Sequence, residues 1–108
     1  WNVSSVRSMD SMFAEARSFN QPLANWERAN STVGNVTYMG HMFYNAIAFN
    51  QPLGQWNVGN VTNMYWMFSR AFAFNQPIEQ WNVGNVTIME GMFAHAFALN
   101  QSLENWER

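Results

Sequence analysis

A solenoid of stacked short coils is the fold class that this 108-residue sequence predicts, and three observations predict it. Trp1, Trp26, Trp56, Trp81 and Trp106 recur at steps of 25, 30, 25 and 25 residues. All eight methionines obey the same period: Met9, Met39, Met64 and Met89 form one column, and Met12, Met42, Met67 and Met92 another, the second always followed by Phe. Between these fixed columns the residues drift. Self-similarity at a fixed period marks a repeat architecture, in which one unit cannot bury its apolar face alone and stacking supplies a continuous core.

The chain reads as a single domain, 1–108, with repeat units 1–25, 26–55, 56–80 and 81–105 and the start of a further unit at 106–108. The long second unit carries an insertion at 27–32, ERANST. A 25-residue period suits a leucine-rich-repeat-like coil and is too short for two packed helices with their turns. Within a unit, Val61, Met64, Met67, Phe68 and Ala71 sit at i, i+3, i+6, i+7 and i+10, which predicts a short helical or 3₁₀ segment. Thr62 or Asn60 would cap its start, and Thr87 with Glu90 makes a capping box. The FNQPL stretch at 49–53 predicts a short extended segment, because Pro resists helix there and restricts the residue before it. Stacked coils lie about 4.8 Å apart, so Phe43, Phe68 and Phe93 should superpose. The same logic makes Asn20, Asn50, Asn75 and Asn100, each followed by Gln, a structural ladder of amides rather than a polar binding track.

Nearly intact from Val61 to Val86 runs the pattern V-T-x-M-x-x-M-F-x-x-A-x-x-F-N-Q-P-L/I-x-x-W-N-V-x-N-V. This pattern resembles the bacterial surface-protein repeat of about 26 residues, related to the BspA-like leucine-rich repeats of lipoproteins and adhesin-like proteins. The resemblance spans the whole chain. It implies a leucine-rich-repeat-like solenoid on a cell surface or in secreted material, with no shared active site to carry over. Departures are the insertion at 27–32, SSVRSM at 4–9 in place of the usual NVTxM, and Ser102 where Pro stands elsewhere.

Composition argues in the same direction. Only 11% of residues are charged, Lys and Cys are absent, and the formal net charge is −2. A nucleic acid or an anionic membrane surface would call for a basic patch that this chain lacks. Without cysteine there are neither disulfides nor thiolate metal sites. No apolar run reaches membrane-spanning length, and no signal peptide heads the sequence, so a targeting segment for export would have been removed or would lie elsewhere. His41 and His95 fall in different columns, so no metal pair is expected, and no cofactor. No nucleophile elbow, enclosed carboxylate pair or phosphate loop appears, and the expectation is a protein that is not an enzyme.

The drifting columns carry unusual bulk: Tyr38, Tyr44, Tyr65, Trp66, Phe72 and Phe97. Tyr65 and Trp66 are adjacent and cannot both point inward beside Met64 and Met67, so the six form a candidate interaction surface. For Phe72 and Phe97, which share a column with Ile47, packing under a neighbouring coil is the alternative. Asn30, Asn35, Asn60 and Asn85 lie in glycosylation sequons, relevant only to a secreted eukaryotic chain; otherwise NVT is a turn element of the repeat. Neither end reads as a polar cap, so either the chain is cut from a longer array or its ends stack head to tail on neighbours. The expected function is that of a non-enzymatic extracellular or cell-surface structural protein. It would self-associate into a filament or surface layer through its ends and exposed aromatics. The competing expectation is a monomeric adhesin or receptor-type module for a protein or glycan.

Overall fold

Alternate backbone amides of the chain leave their own repeat and reach the next. Met64, Trp66, Phe68 and Arg70 donate to the carbonyls of Ile88, Glu90, Met92 and Ala94 at 2.9, 3.0, 2.8 and 2.8 Å. One repeat earlier, Met39, His41, Phe43 and Asn45 donate to Asn63, Tyr65, Met67 and Ser69 at 2.8–3.0 Å. Before those, Met9, Ser11, Phe13 and Glu15 donate to Tyr38, Gly40, Met42 and Tyr44. These bonds join four levels of chain, and parallel bridges Ser8–Tyr38, Tyr38–Asn63 and Asn63–Ile88 run through all of them. The computed structural model describes residues 1–28 and 30–106; Ala29 of the expected insertion, and Glu107 and Arg108 of the expected further unit, lie outside the described residues.

The helical segment that the spacing predicts over 61–71 is not formed. Among the described residues the helical pieces are two single 3₁₀ turns, Ala24–Trp26 and Glu104–Trp106, both at the tryptophan column. Residues 64–74 instead make successive three-residue turns: Met67 donates to Met64, Ser69 to Trp66, Ala71 to Phe68 and Phe74 to Ala71, at 3.0–3.3 Å. A helix would send every amide four residues back along its own axis. Here alternate amides are committed to the neighbouring level, and Trp66 and Arg70 have φ of +57 and +60, values a right-handed helix cannot contain. A turn of three residues returns the side chain to the inner face, which reproduces the i, i+3, i+6 spacing without a helix. The expected caps are likewise redirected. Thr62 N–H donates to Thr37 O at 2.8 Å, and Thr87 N–H to Thr62 O at 2.8 Å.

Level stacking brings like residues together. Phe43 lies 5.5 Å from Phe13 and 5.5 Å from Phe68, and Phe68 lies 5.9 Å from Phe93, all within 7° of parallel. Beside this column runs another, Phe19–Phe49–Phe74, at 5.8 and 6.1 Å. Near-parallel rings at this separation are held apart by the backbone ladder, and Met39, Met42, Met64 and Met67 fill the space around them with no exposure. The insertion leaves the stack in register. Arg28 and Ser31 exchange both backbone hydrogen bonds, at 2.9 and 3.0 Å, in an antiparallel bridge. Ser31 Oγ accepts from Val3 N–H and donates to Trp26 O, tying the loop's base to the first level.

Candidate functional site

Repeated amide side chains are spent on the stack. The N–H groups of Asn50, Asn75 and Asn100 donate to Oδ1 of Asn20, Asn50 and Asn75 at 2.8, 2.9 and 2.9 Å. Nε2 of Gln51, Gln76 and Gln101 donates to the same three oxygens at 3.0, 2.9 and 2.9 Å. Each Oδ1 thus takes two donors from the following level, one from backbone and one from side chain. Indole N–H groups add further rungs: Trp56 to Leu23 O, Trp81 to Leu53 O and Trp106 to Ile78 O, at 2.9–3.2 Å. In the sequons, Nδ2 of Asn35, Asn60 and Asn85 donates to Ser4 O, Gly34 O and Gly59 O at 2.7–2.8 Å. The nitrogen that would carry a sugar is therefore a rung in all three. Asn30 stands exposed in the insertion.

The predicted surface aromatics divide into two clusters and a singleton. Tyr44, Tyr65 and Trp66 gather around His41, whose ring centre lies 5.7, 5.2 and 6.4 Å from theirs. All are partly buried, so Tyr65 and Trp66 both lie outside the central spine yet neither is free. Trp66 lies across Gly91: a Cβ at Gly91 would fall 2.8 Å from Trp66 Cε2. A bulky residue at φ +57 is an outlier that only surrounding contacts can hold. Trp66 Nε1 and Ser69 Oγ are buried and have no hydrogen-bond partner among the described residues. The second cluster pairs Phe72 and Phe97, stacked at 5.5 Å and 1° from parallel, with the Arg70 guanidinium 5.7 Å over Phe72. His95 meets Phe97 edge-on at 5.6 Å. These two phenylalanines pack on each other at the surface, and Phe97 remains 75% exposed. Tyr38 belongs to neither group; it bridges Ser8 and Asn63 through its backbone and exposes its ring.

Two further columns are functional in the stack and carry little signal in sequence. Ser11, His41, Trp66 and Gly91 share one, Glu15, Asn45, Arg70 and His95 the other, and all eight have positive φ. Gly91, Asn45 and, more weakly, His41 and His95 are of residue types enriched in this conformation, and they are the signal available. In the second column Asn45 Nδ2 donates to Glu15 Oε2 at 3.1 Å, and Arg70 Nε donates to Asn45 Oδ1 at 3.1 Å. Glu15 also meets Arg17 at 3.2 Å, an exposed ion pair of small energetic weight.

At both ends of the stack the same columns surface. Phe43, Phe49, Phe68 and Phe74 have no exposure, whereas Phe13, Phe19, Phe93, Leu99 and Trp106 are only partly buried and Met12 is 44% exposed. Above Phe13, Phe19, Leu23 and Trp26 lies an open recess of about 340 Å³, bordered by the exposed Trp1. Among the described residues no group of three or more His, Cys, Asp or Glu side chains converges, and no helix is long and apolar enough to cross a membrane. His41 sits in the aromatic cluster and His95 against Phe97.

No curated protein and no solved structure matches the chain. A family model described as Mycoplasma protein of unknown function, DUF285, matches residues 1–33 and 29–108. Together the two matches span the repeats and the insertion, and the chain belongs to that family.

Proposed function

We propose that the chain is a non-enzymatic repeat protein, a leucine-rich-repeat-like solenoid related to the BspA-like surface repeats. On this reading it acts outside the cell or on its surface, and it builds a filament or layer by self-association. The supporting observation is that like side chains of successive levels stack on one another, Phe43 on Phe68 and Phe68 on Phe93, so that one repeat presents an apolar surface fitted to the next. Apolar surface of this kind gains roughly 25 cal/mol for each Å² removed from water. A face whose columns match those of a repeat is best covered by a further repeat. Sedimentation velocity with negative-stain imaging of the purified chain tests the idea: polymers growing with concentration are expected, and a monodisperse monomer at all concentrations overturns it.

The Phe72–Phe97 stack favours a second reading, a monomeric adhesin or receptor-type module for a protein or glycan. Phe97 is an exposed aromatic set in a polar rim of His95 and Arg70. Changing Phe72 and Phe97 to Ser should then abolish ligand capture while leaving sedimentation unchanged. Loss of polymers with the same substitutions would instead place that patch in a self-contact.

A further inference from the structure

We infer that a recess on the side of the stack, formed mainly by residues 52–55 and 77–80, binds a neutral glycan. Neither polymer formation nor the Phe72–Phe97 patch is needed for this binding. The recess has a volume of about 240 Å³ and is lined by Ala24, Pro52, Gly54, Gln55, Pro77 and Gln80. Its walls come from successive levels that are pinned together just inside it. Leu53 and Ile78, each following a proline, are buried in the core. The indole N–H groups of Trp56 and Trp81 donate to Leu23 O and Leu53 O at 3.1 and 2.9 Å. A Cβ at Gly54 would lie 3.0 Å from Pro77 O, so glycine there lets the two levels approach and keeps the recess open.

Amide side chains of the repeat fall into two sets, and the recess holds the set that the stack leaves free. Asn50 Oδ1 and the amides of Gln51 and Gln76 are spent on neighbouring levels. Gln55 and Gln80 are exposed and make no hydrogen bond among the described residues. Each offers an acceptor oxygen and two N–H donors, one amide on each of two levels about 4.8 Å apart. The rest of the lining is apolar: two pyrrolidine rings, a methyl group and the bare backbone of Gly54. An apolar concavity with a few polar groups is the usual form of a ligand site.

The same lining selects the ligand. None of the six residues is charged, so an anion or a cation would lose hydration there without meeting a counter-charge. A wholly apolar ligand would cover the two amides and leave them unpaired. An extended peptide would lay its backbone carbonyls against prolines, which return no N–H donor. A neutral sugar meets both parts of the lining. Its C–H face lies on the proline rings and Ala24, and its hydroxyls donate to and accept from Gln55 and Gln80. At the following junction Glu79 and Ser102 replace Gly54 and Pro77 and bond to each other at 2.9 Å, so the site is not repeated there.

Native electrophoresis through gels containing dextran, mannan or hydroxyethyl cellulose tests the assignment. The parent chain should be retarded by at least one of these polysaccharides. Changing Gln55 and Gln80 together to Ala should weaken that affinity by about tenfold or more, the effect of losing two hydrogen-bonding partners. Both side chains are exposed and bond to nothing in the chain, so circular dichroism of the double variant should match the parent. Migration unchanged in all three gels overturns the inference, and so does equal retardation of parent and double variant. Retardation by gelatin alone would assign the recess to a peptide and overturn it as well. Sedimentation of the same samples reports self-association separately, so failure here leaves the filament reading standing.

Discussion

Gly91 and Ser11 occupy the same column with nearly the same backbone, φ +66 and +58, yet substitution there should act in opposite directions. A Cβ at Gly91 would meet Trp66 at 2.8 Å, so Gly91→Ala adds overlap to an unfavourable conformation. A loss of about 1–3 kcal/mol is expected by urea denaturation. Ser11 is exposed, and its hydroxyl makes only a 3.4 Å contact with Asp10 Oδ2. Ser11→Gly removes the left-handed penalty and should gain about 0.5–1 kcal/mol in the same assay, net of glycine's own entropy. The amide ladder makes an equally specific prediction. Asn50 Oδ1 accepts from Asn75 N–H and Gln76 Nε2, so Asn50→Ala leaves Asn75 N–H unanswered and Gln76 Nε2 with only its 3.3 Å bond to Asn50 O, and should cost about 1–3 kcal/mol. Asn50→Asp keeps the accepting oxygen and should cost clearly less. Equal losses for the two would mean that the ladder oxygen is not what holds this column.

Within a level, the element is a run of three-residue turns braced from above and below, and its stability depends on which neighbours are present. Phe68 has rings on both sides, Phe43 and Phe93, and no exposure. Phe68→Ala should cost about 3–5 kcal/mol, as for other large core truncations. Phe93→Ala removes a ring that is already partly solvated and should cost noticeably less, a difference that thermal and urea unfolding of the pair would reveal. Sequence periodicity names these partners correctly but misreads the path between them. Apolar spacing at i, i+3 and i+6 fits a helix and fits successive turns; it records which side chains face inward, not where the amides point. Trp66 and Arg70 at positive φ are what separate the two, and neither residue type announces such a backbone.

Across the whole molecule, hydrogen exchange should divide the backbone by position in the stack. Amides of His41, Phe43, Trp66 and Phe68, each bonded to the next level, should exchange slowly. Those of Ser18, Ala48 and Ala73, which have no acceptor among the described residues, should exchange fast. Equal rates for the two groups would contradict the ladder between levels.

Period is a property of the sequence, and it suffices to identify which residues meet: Phe43 with Phe68, Asn50 with Asn75, one tryptophan with the next. It works because neighbouring levels can share a core only if like stands near like. Surface aromatics are legible as a class, yet their grouping is not. Whether Trp66 joins His41 and Tyr44, or Phe72 joins Phe97, depends on the direction each side chain leaves a backbone whose left-handed residues are set by the stack. The donor–acceptor polarity of each junction between levels is likewise absent from the sequence. Every residue carries the same N–H and C=O, and only the tertiary arrangement decides which of them point outward.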